Sequence, residues 1–140
     1  MELHDALEFI RDRRQGMLLT LKADGRPQSS NVAFALGDDD VIRISVTDSR
    51  AKTTNMRRDP RVSLHVNRDD FYAYAVIEAD ATLTPTAASV DDDTVEQLVD
   101  YYRSVAGEHP DWDEYRRAMV DEGRLLLILT PSRAYGMLGR

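Results

Sequence analysis

The sequence predicts a mostly β domain with peripheral helices, in which about six mainly antiparallel strands form a barrel or a strongly coiled sheet. Three observations carry this expectation. Residues 71–83 alternate apolar and polar along their whole length, which is the period of a long strand curving around a small core. Asp24-Gly25 and Gly37-Asp38-Asp39-Asp40 are tight-turn signals between neighbouring apolar runs, and a tight turn joins antiparallel strands. Helical periodicity is confined to the start of the chain, a short stretch near 50–58 and the region 95–123. The 140 residues, 42% hydrophobic and 31% charged, suit one globular domain spanning 1–140.

Each element has its own warrant. Leu3, Leu7 and Ile10 fall at helical spacing within 2–13. Met17, Leu19, Leu21 and Ala23 share one face of a first strand, with Thr20 and Lys22 on the other. After the Asp24-Gly25 turn, Pro27 suits the start of a strand, where a missing N–H matters least. The second strand, roughly 28–36, opens polar (Gln28, Ser29, Ser30, Asn31) and closes apolar (Val32 to Leu36). Ile42, Ile44 and Val46 mark a third strand over 41–47. Asp48 or Ser49 is placed to cap a short helix running to about Arg58, which Pro60 stops. Val62, Leu64 and Val66 mark a fourth strand, and 71–83 the fifth, with Phe71 through Leu83 at odd positions on the inner face.

Two helices follow. Val95, Leu98, Val99, Tyr102 and Ala106 keep helical spacing until Gly107. Asp111 with Glu114 three residues on is a capping-box pattern for a helix that Gly123 ends. Leu125 to Leu129 reads as a buried last strand, followed by a short extended tail through Tyr135 and Met137.

Composition excludes several chemistries. Cysteine is absent, so thiol catalysis, disulfides and zinc sites built on Cys are out. The net charge of −7 disfavours non-specific nucleic-acid binding. No apolar run is long enough for a membrane span, and a cytoplasmic location is the expectation. His4, His65 and His109 have no ligand-like spacing, and His65 reads as a satisfied strand histidine. The triplets Asp38–Asp40 and Asp91–Asp93 read as a turn and a helix start, so no metal site is expected. There is no P-loop, no nucleophile elbow and no dinucleotide-binding glycine pattern.

One feature stands against the acidic background. Residues 50–61 hold Arg50, Lys52, Arg57, Arg58 and Arg61 against the single anion Asp59, a local balance of +4 that leaves −11 on the rest of the chain. Such an island is either a solvated helix face or an anion site. The anion reading has a physical basis. The start of the short helix offers unpaired N–H groups next to Ser49, and Arg50 adds a bidentate fork and Lys52 a point charge. Gln28, Ser30 and Asn31 offer hydrogen-bonding groups for a planar ligand, and a neighbouring third strand brings Ser45 alongside. These pieces suit a phosphorylated, partly aromatic cofactor.

The stretches Asp24-Gly25-Arg26-Pro27-Gln28-Ser29-Ser30-Asn31-Val32 and Arg50-Ala51-Lys52-Thr53-Thr54-Asn55-Met56-Arg57-Arg58-Asp59-Pro60-Arg61 resemble the pyridoxamine 5′-phosphate oxidase-like flavin/deazaflavin split-barrel proteins. Tyr74-Ala75-Val76 with Glu78, and Ala106-Gly107-Glu108-His109 with Asp111-Trp112, extend the likeness over nearly the whole chain, closest to the actinobacterial branch that binds coenzyme F420. The resemblance implies an FMN-binding type of split β-barrel and a homodimer with two cofactor sites along the subunit interface. It implies that Arg50 and Lys52 hold the cofactor phosphate, that Gln28 and Asn31 lie near the ring and its chain, and that Ser45 and Asn55 make further contacts. Tyr72 stands where close relatives place a tryptophan contributed by the second subunit. No residue is assigned as a proton donor, so no catalytic side chain is named.

The function implied is an F420-dependent reductase passing a hydride to an electron-poor, unsaturated small molecule. Arg57, Arg58 and Arg61 are either aids to the polyglutamate tail of F420 or solvated helix surface. Two alternatives are an FMN-dependent pyridoxamine-phosphate-oxidase-like enzyme and a non-catalytic F420 carrier. The first expects a longer arginine- and histidine-bearing tail than the one after Tyr135 and Met137.

Overall fold

The computed structural model describes residues 1–139. Its elements run α1 (Leu3–Ile10), β1 (Gln15–Leu21), β2 (Pro27–Ala33), β3 (Ala35–Leu36), β4 (Ile42–Thr47), α2 (Ala51–Arg58), β5 (Arg61–Asn67), β6 (Tyr74–Leu83), α3 (Asp93–Ala106), α4 (Trp112–Asp121) and β7 (Arg124–Met137). The seven strands make one sheet in the order β2-β1-β5-β6-β7-β4-β3, and every neighbouring pair is antiparallel.

The extra strand comes from a break in the expected segment 28–36. Phe34 is fully buried, and the chain changes partner around it. Before Phe34 the segment pairs with β1, from Pro27 opposite Leu21 to Ala33 opposite Gln15. After it, Ala35 and Leu36 pair with Arg43 and Ile42 of β4. One stretch of chain therefore supplies both ends of the sheet order, and the sheet must curl to satisfy it. The barrel closes at β3–β4 and stays open higher up, where β2 and β4 each have one edge unpaired. The result is the split barrel expected.

Inward-facing residues fill the curl. Leu18, Ile42, Ile44, Leu64, Ile77 and Leu127 are fully buried, and α1 adds Ala6, Leu7 and Ile10. Burying each large side chain of this kind stabilises by about 1.5–3 kcal/mol. On the outside, α3 and α4 pack Leu98, Tyr101 and Tyr115 against Leu126 of β7. Trp112 and Tyr102 join this packing, so the late aromatics are core and cover. His65 hydrogen-bonds Asn67 and packs on Tyr74, which satisfies it within its strand.

Tyr101 ties the split together at its base. Its hydroxyl donates to the Ala33 carbonyl at 2.7 Å. Burial pushes the phenol up from its ordinary value, opposed in part by the hydrogen-bonding Ser45 backbone. One side chain thus bridges the two segments that diverge. Tyr101→Phe leaves the Ala33 carbonyl without that donor and is expected to cost about 1–3 kcal/mol of stability in urea denaturation. A loss under about 0.5 kcal/mol would show that the hydroxyl is not the tie.

Four expectations need correction. The first helix stops at Ile10 rather than 13, because the polar run Arg11–Arg14 has no apolar face to bury. Neither Asp48 nor Ser49 caps α2. Arg50 holds the N-cap position with no side-chain bond, while Asp48 pairs with Arg57 and accepts from the Thr86 hydroxyl. The fifth run starts at Tyr74, not 71. Phe71 sits at φ +73° in a turn closed by Arg68 and Ala73, 77% exposed and off the inner face. The last strand and its tail are one fourteen-residue β7, paired with β6 from Leu127 to Met137 and bulged where Glu78 faces Arg133 and Ala79 faces Pro131. A bulge accommodates proline, which has no N–H to give the ladder.

Candidate functional site

The open side of the split barrel forms a cavity of about 450 Å³. Gln28 and Ser30 enter it from β2, because alternation along that strand puts 28 and 30 on one face. Ser45 and Thr47 enter from β4. Arg50, Ala51 and Lys52 bring the start of α2, and Arg124 comes from the first residue of β7.

Five of the eight residues expected to bind cofactor therefore meet here: Gln28, Ser30, Ser45, Arg50 and Lys52. Asn55 lies behind this group, buried, with its amide nitrogen donating to Gln28 Oε1 at 2.9 Å and Thr20 Oγ1 at 3.1 Å. Asn31 is on the opposite face of β2, exposed and paired across the ladder with Met17. Tyr72 is 79% exposed in the turn before β6. Within one chain, neither of these two reaches the cavity lining.

Arg124 and Thr47 were not singled out from the sequence. Arg124 looks like a surface residue bounding a buried strand. Only the β4–β7 register, which sets Thr47 opposite Arg124, places both at the pocket. No local sequence signal could have found them.

The cationic island divides in a telling way. Arg57 pairs with Asp48, and Arg61 with Asp59, whose carboxyl is held down at about 2 by that guanidinium and the Arg61 N–H. Arg58 donates to the Leu21 carbonyl and to Asn55 Oδ1. Arg50 and Lys52 form no ion pair among the described residues. Burial, then Arg50 and Arg124, pull the Lys52 ammonium below its ordinary value of 10.5. A lysine whose charge is penalised by its surroundings gains from an anion that restores it.

The polar groups also point to a ligand. Ser30 Oγ is buried without a hydrogen-bond partner among the described residues, and an orphaned buried hydroxyl costs about 1–3 kcal/mol unless something fills the position. No side chain caps α2, so the Ala51 and Lys52 N–H groups at the cavity wall are open to an anion, while the Thr53 N–H donates to the Arg50 carbonyl. The donor set fits a group with an anionic part near Arg50, Lys52 and Arg124 and a hydrogen-bonding part along β2. A second hollow, about 480 Å³, lies on the outer sheet face. It holds Arg61 and Arg133 with Glu78 and Asp80, so its charges offset and select no anion. Among the described residues no cluster of histidines or carboxylates could hold a metal ion, and no helix is long and apolar enough to cross a membrane.

A pH dependence follows from the Lys52 shift. Affinity for a ligand of fixed anionic charge is highest where Lys52 is protonated in the free protein. It falls as pH rises through the lowered value, so the fall begins below the ordinary lysine range. Titration calorimetry should also detect proton uptake on binding in that window. Lys52→Arg should abolish both effects, and a flat profile for the parent protein would remove Lys52 from the anion's surroundings.

Fold and site together define a split-barrel protein with a cationic, hydrogen-bonding cleft where the barrel fails to close. The chain belongs to the pyridoxamine 5′-phosphate oxidase family, whose model matches residues 3–137. Among solved structures it is similar to the conserved hypothetical protein Rv2991 from Mycobacterium tuberculosis, at 22% identity and a TM-score of 0.74, covering 98% of this chain and 84% of that one. It is also similar to an F420 reductase, at 20% identity and a TM-score of 0.69, covering 91% and 94%. A third relative in fold is HutZ, the heme storage protein from Vibrio cholerae, at 18% identity and a TM-score of 0.70, covering 98% and 96%. At these identities the likeness is one of fold.

Proposed function

We propose that this protein is a deazaflavin-dependent reductase that binds coenzyme F420 in the open side of its barrel, as a homodimer. The observation that carries the reading is the convergence of Arg50, Lys52 and Arg124 with the orphaned Ser30 hydroxyl in one cleft. Family membership and the fold shared with an F420 reductase support it.

The chain's own residues bind and orient. Arg50 and Lys52, with the open N–H groups of α2, hold a phosphodiester. Gln28, Ser30 and Ser45 supply hydrogen bonds to a planar ring edge. Reduced F420, if held there, would supply hydride chemistry toward an electron-poor double bond, and no side chain of the cleft is assigned as donor of the balancing proton. Asn31 and Tyr72 belong to the subunit contact in this reading. Asn31 shares the outer sheet face with Met17, His65, Val76 and Tyr135, and exposed Phe71, Tyr72 and Met137 border it. Burying such a surface in a second copy removes apolar area from water.

The test is a fluorescence titration of purified protein with F420 and with FMN, followed by turnover of reduced F420 with a quinone, an enone or a nitro compound. F420 binding with turnover is the expected result. Preference for FMN would move the protein to flavin chemistry, and F420 binding without turnover would make it a carrier. A monomeric mass at micromolar protein would contradict the shared-interface site.

A further inference from the structure

The geometry points to an Arg58–Asn55 relay that fixes which end of the Gln28 amide faces the cleft, so that the ligand edge seated on β2 must be a hydrogen-bond acceptor. The inference rests on the cleft being the ligand site proposed above and adds what that edge must be chemically. Arg58 can only donate, and its Nη2 lies 3.0 Å from an amide atom of Asn55. That atom must be the oxygen. The other end of the Asn55 amide is then the nitrogen, which lies 2.9 Å from Gln28 and 3.1 Å from the Thr20 hydroxyl. The Gln28 atom facing Asn55 must in turn be Oε1. Gln28 Nε2 is left with no partner among the described residues, at a residue that lines the cleft. Each step is forced by donor and acceptor identity, so the polarity starts from a guanidinium that cannot reverse it.

The relay turns Asn55 from a ligand contact into a positioning residue. Thr20 and Asn55 are both buried, which holds the arrangement away from competing water. Ser30, two residues along the same face of β2, has a hydroxyl without a partner. Gln28 Nε2 offers a fixed donor to a carbonyl oxygen or an unprotonated ring nitrogen, while the Ser30 hydroxyl can donate or accept beside it. A ligand presenting an N–H group opposite Gln28 is rejected, because donor would face donor.

Two measurements test this. Side-chain amide spectra of ligand-free wild-type protein should show the Asn55 NH₂ protected from solvent exchange and the Gln28 NH₂ unprotected. The reverse pattern would overturn the relay. Asn55→Asp makes the position acceptor-only, which draws the Gln28 NH₂ inward and turns Oε1 to the cleft. F420 or FMN affinity should then fall at least tenfold. In a Gln28→Met background the same Asn55→Asp change should cost less than twofold. An undiminished loss there would show that the new charge, and not the Gln28 orientation, is responsible, and would sink the relay. If neither F420 nor FMN binds the wild type, the proposed function fails, while the amide exchange pattern still decides the relay.

Discussion

Lys52→Ala is expected to weaken binding of F420 or FMN by about 1.5–3 kcal/mol, roughly ten- to a hundredfold or more in Kd. The size follows from its position. Lys52 lines the cleft beside Arg50, close to the start of α2, and has no carboxylate partner among the described residues. Its ammonium is destabilised by burial and by the like charges of Arg50 and Arg124, so an anion there relieves repulsion as well as making a charged hydrogen bond. The same reasoning says that folding stability should not fall. Removing an unpaired, repelled cation leaves the ligand-free protein as stable or slightly more so, which separates a binding defect from a folding one in a single thermal melt. Unchanged affinity would take Lys52 out of the site.

The second large effect is on the fold. Gly136→Ala should destabilise the protein by about 2–5 kcal/mol. Gly136 sits at φ +144°, and a Cβ there would lie 2.3 Å from the Tyr74 carbonyl oxygen and 3.0 Å from Ala75 Cα. Strained backbone and forced overpacking each cost about 1–3 kcal/mol. The obstacle is backbone of the paired strand β6, which cannot swing aside as a side chain can. A drop of at least about 5 °C in melting temperature is the expected result. A variant melting within about 1 °C of the parent would show that the end of β7 frays without cost, and with it that the β6–β7 ladder does not hold Tyr74 and Met137 in register.

The strands and helices were legible because their signals are local. Alternation at 71–83 marked β6, Asp24-Gly25 marked the first hairpin, and Asp92 and Asp111 do accept the N–H bonds that cap α3 and α4. Phe71 misled because it continues the alternation in sequence, whereas the turn at Arg68–Ala73 takes it out of the strand. The tail beyond Leu129 looked weak because its own composition is mixed. It is held as strand by β6, where Thr130 to Met137 pair with Asp80 to Tyr74. For the site, Gln28, Ser30, Ser45, Arg50 and Lys52 were readable as residue types suited to a phosphorylated planar ligand, and the cleft gathers them.

What the sequence by itself determined is chemistry and element identity: an acidic chain without cysteine, a concentrated cationic stretch, and an antiparallel β domain with helices outside. What only the tertiary structure decided is which cations are free and which polar atoms face inward. Arg57, Arg58 and Arg61 are occupied within the chain, while Arg124 joins Arg50 and Lys52 across more than seventy residues of sequence. The physical reason is that pairing is a matter of proximity within a few ångströms. That proximity is set by a sheet closed at β3–β4 and open between β2 and β4, a geometry that no single segment encodes.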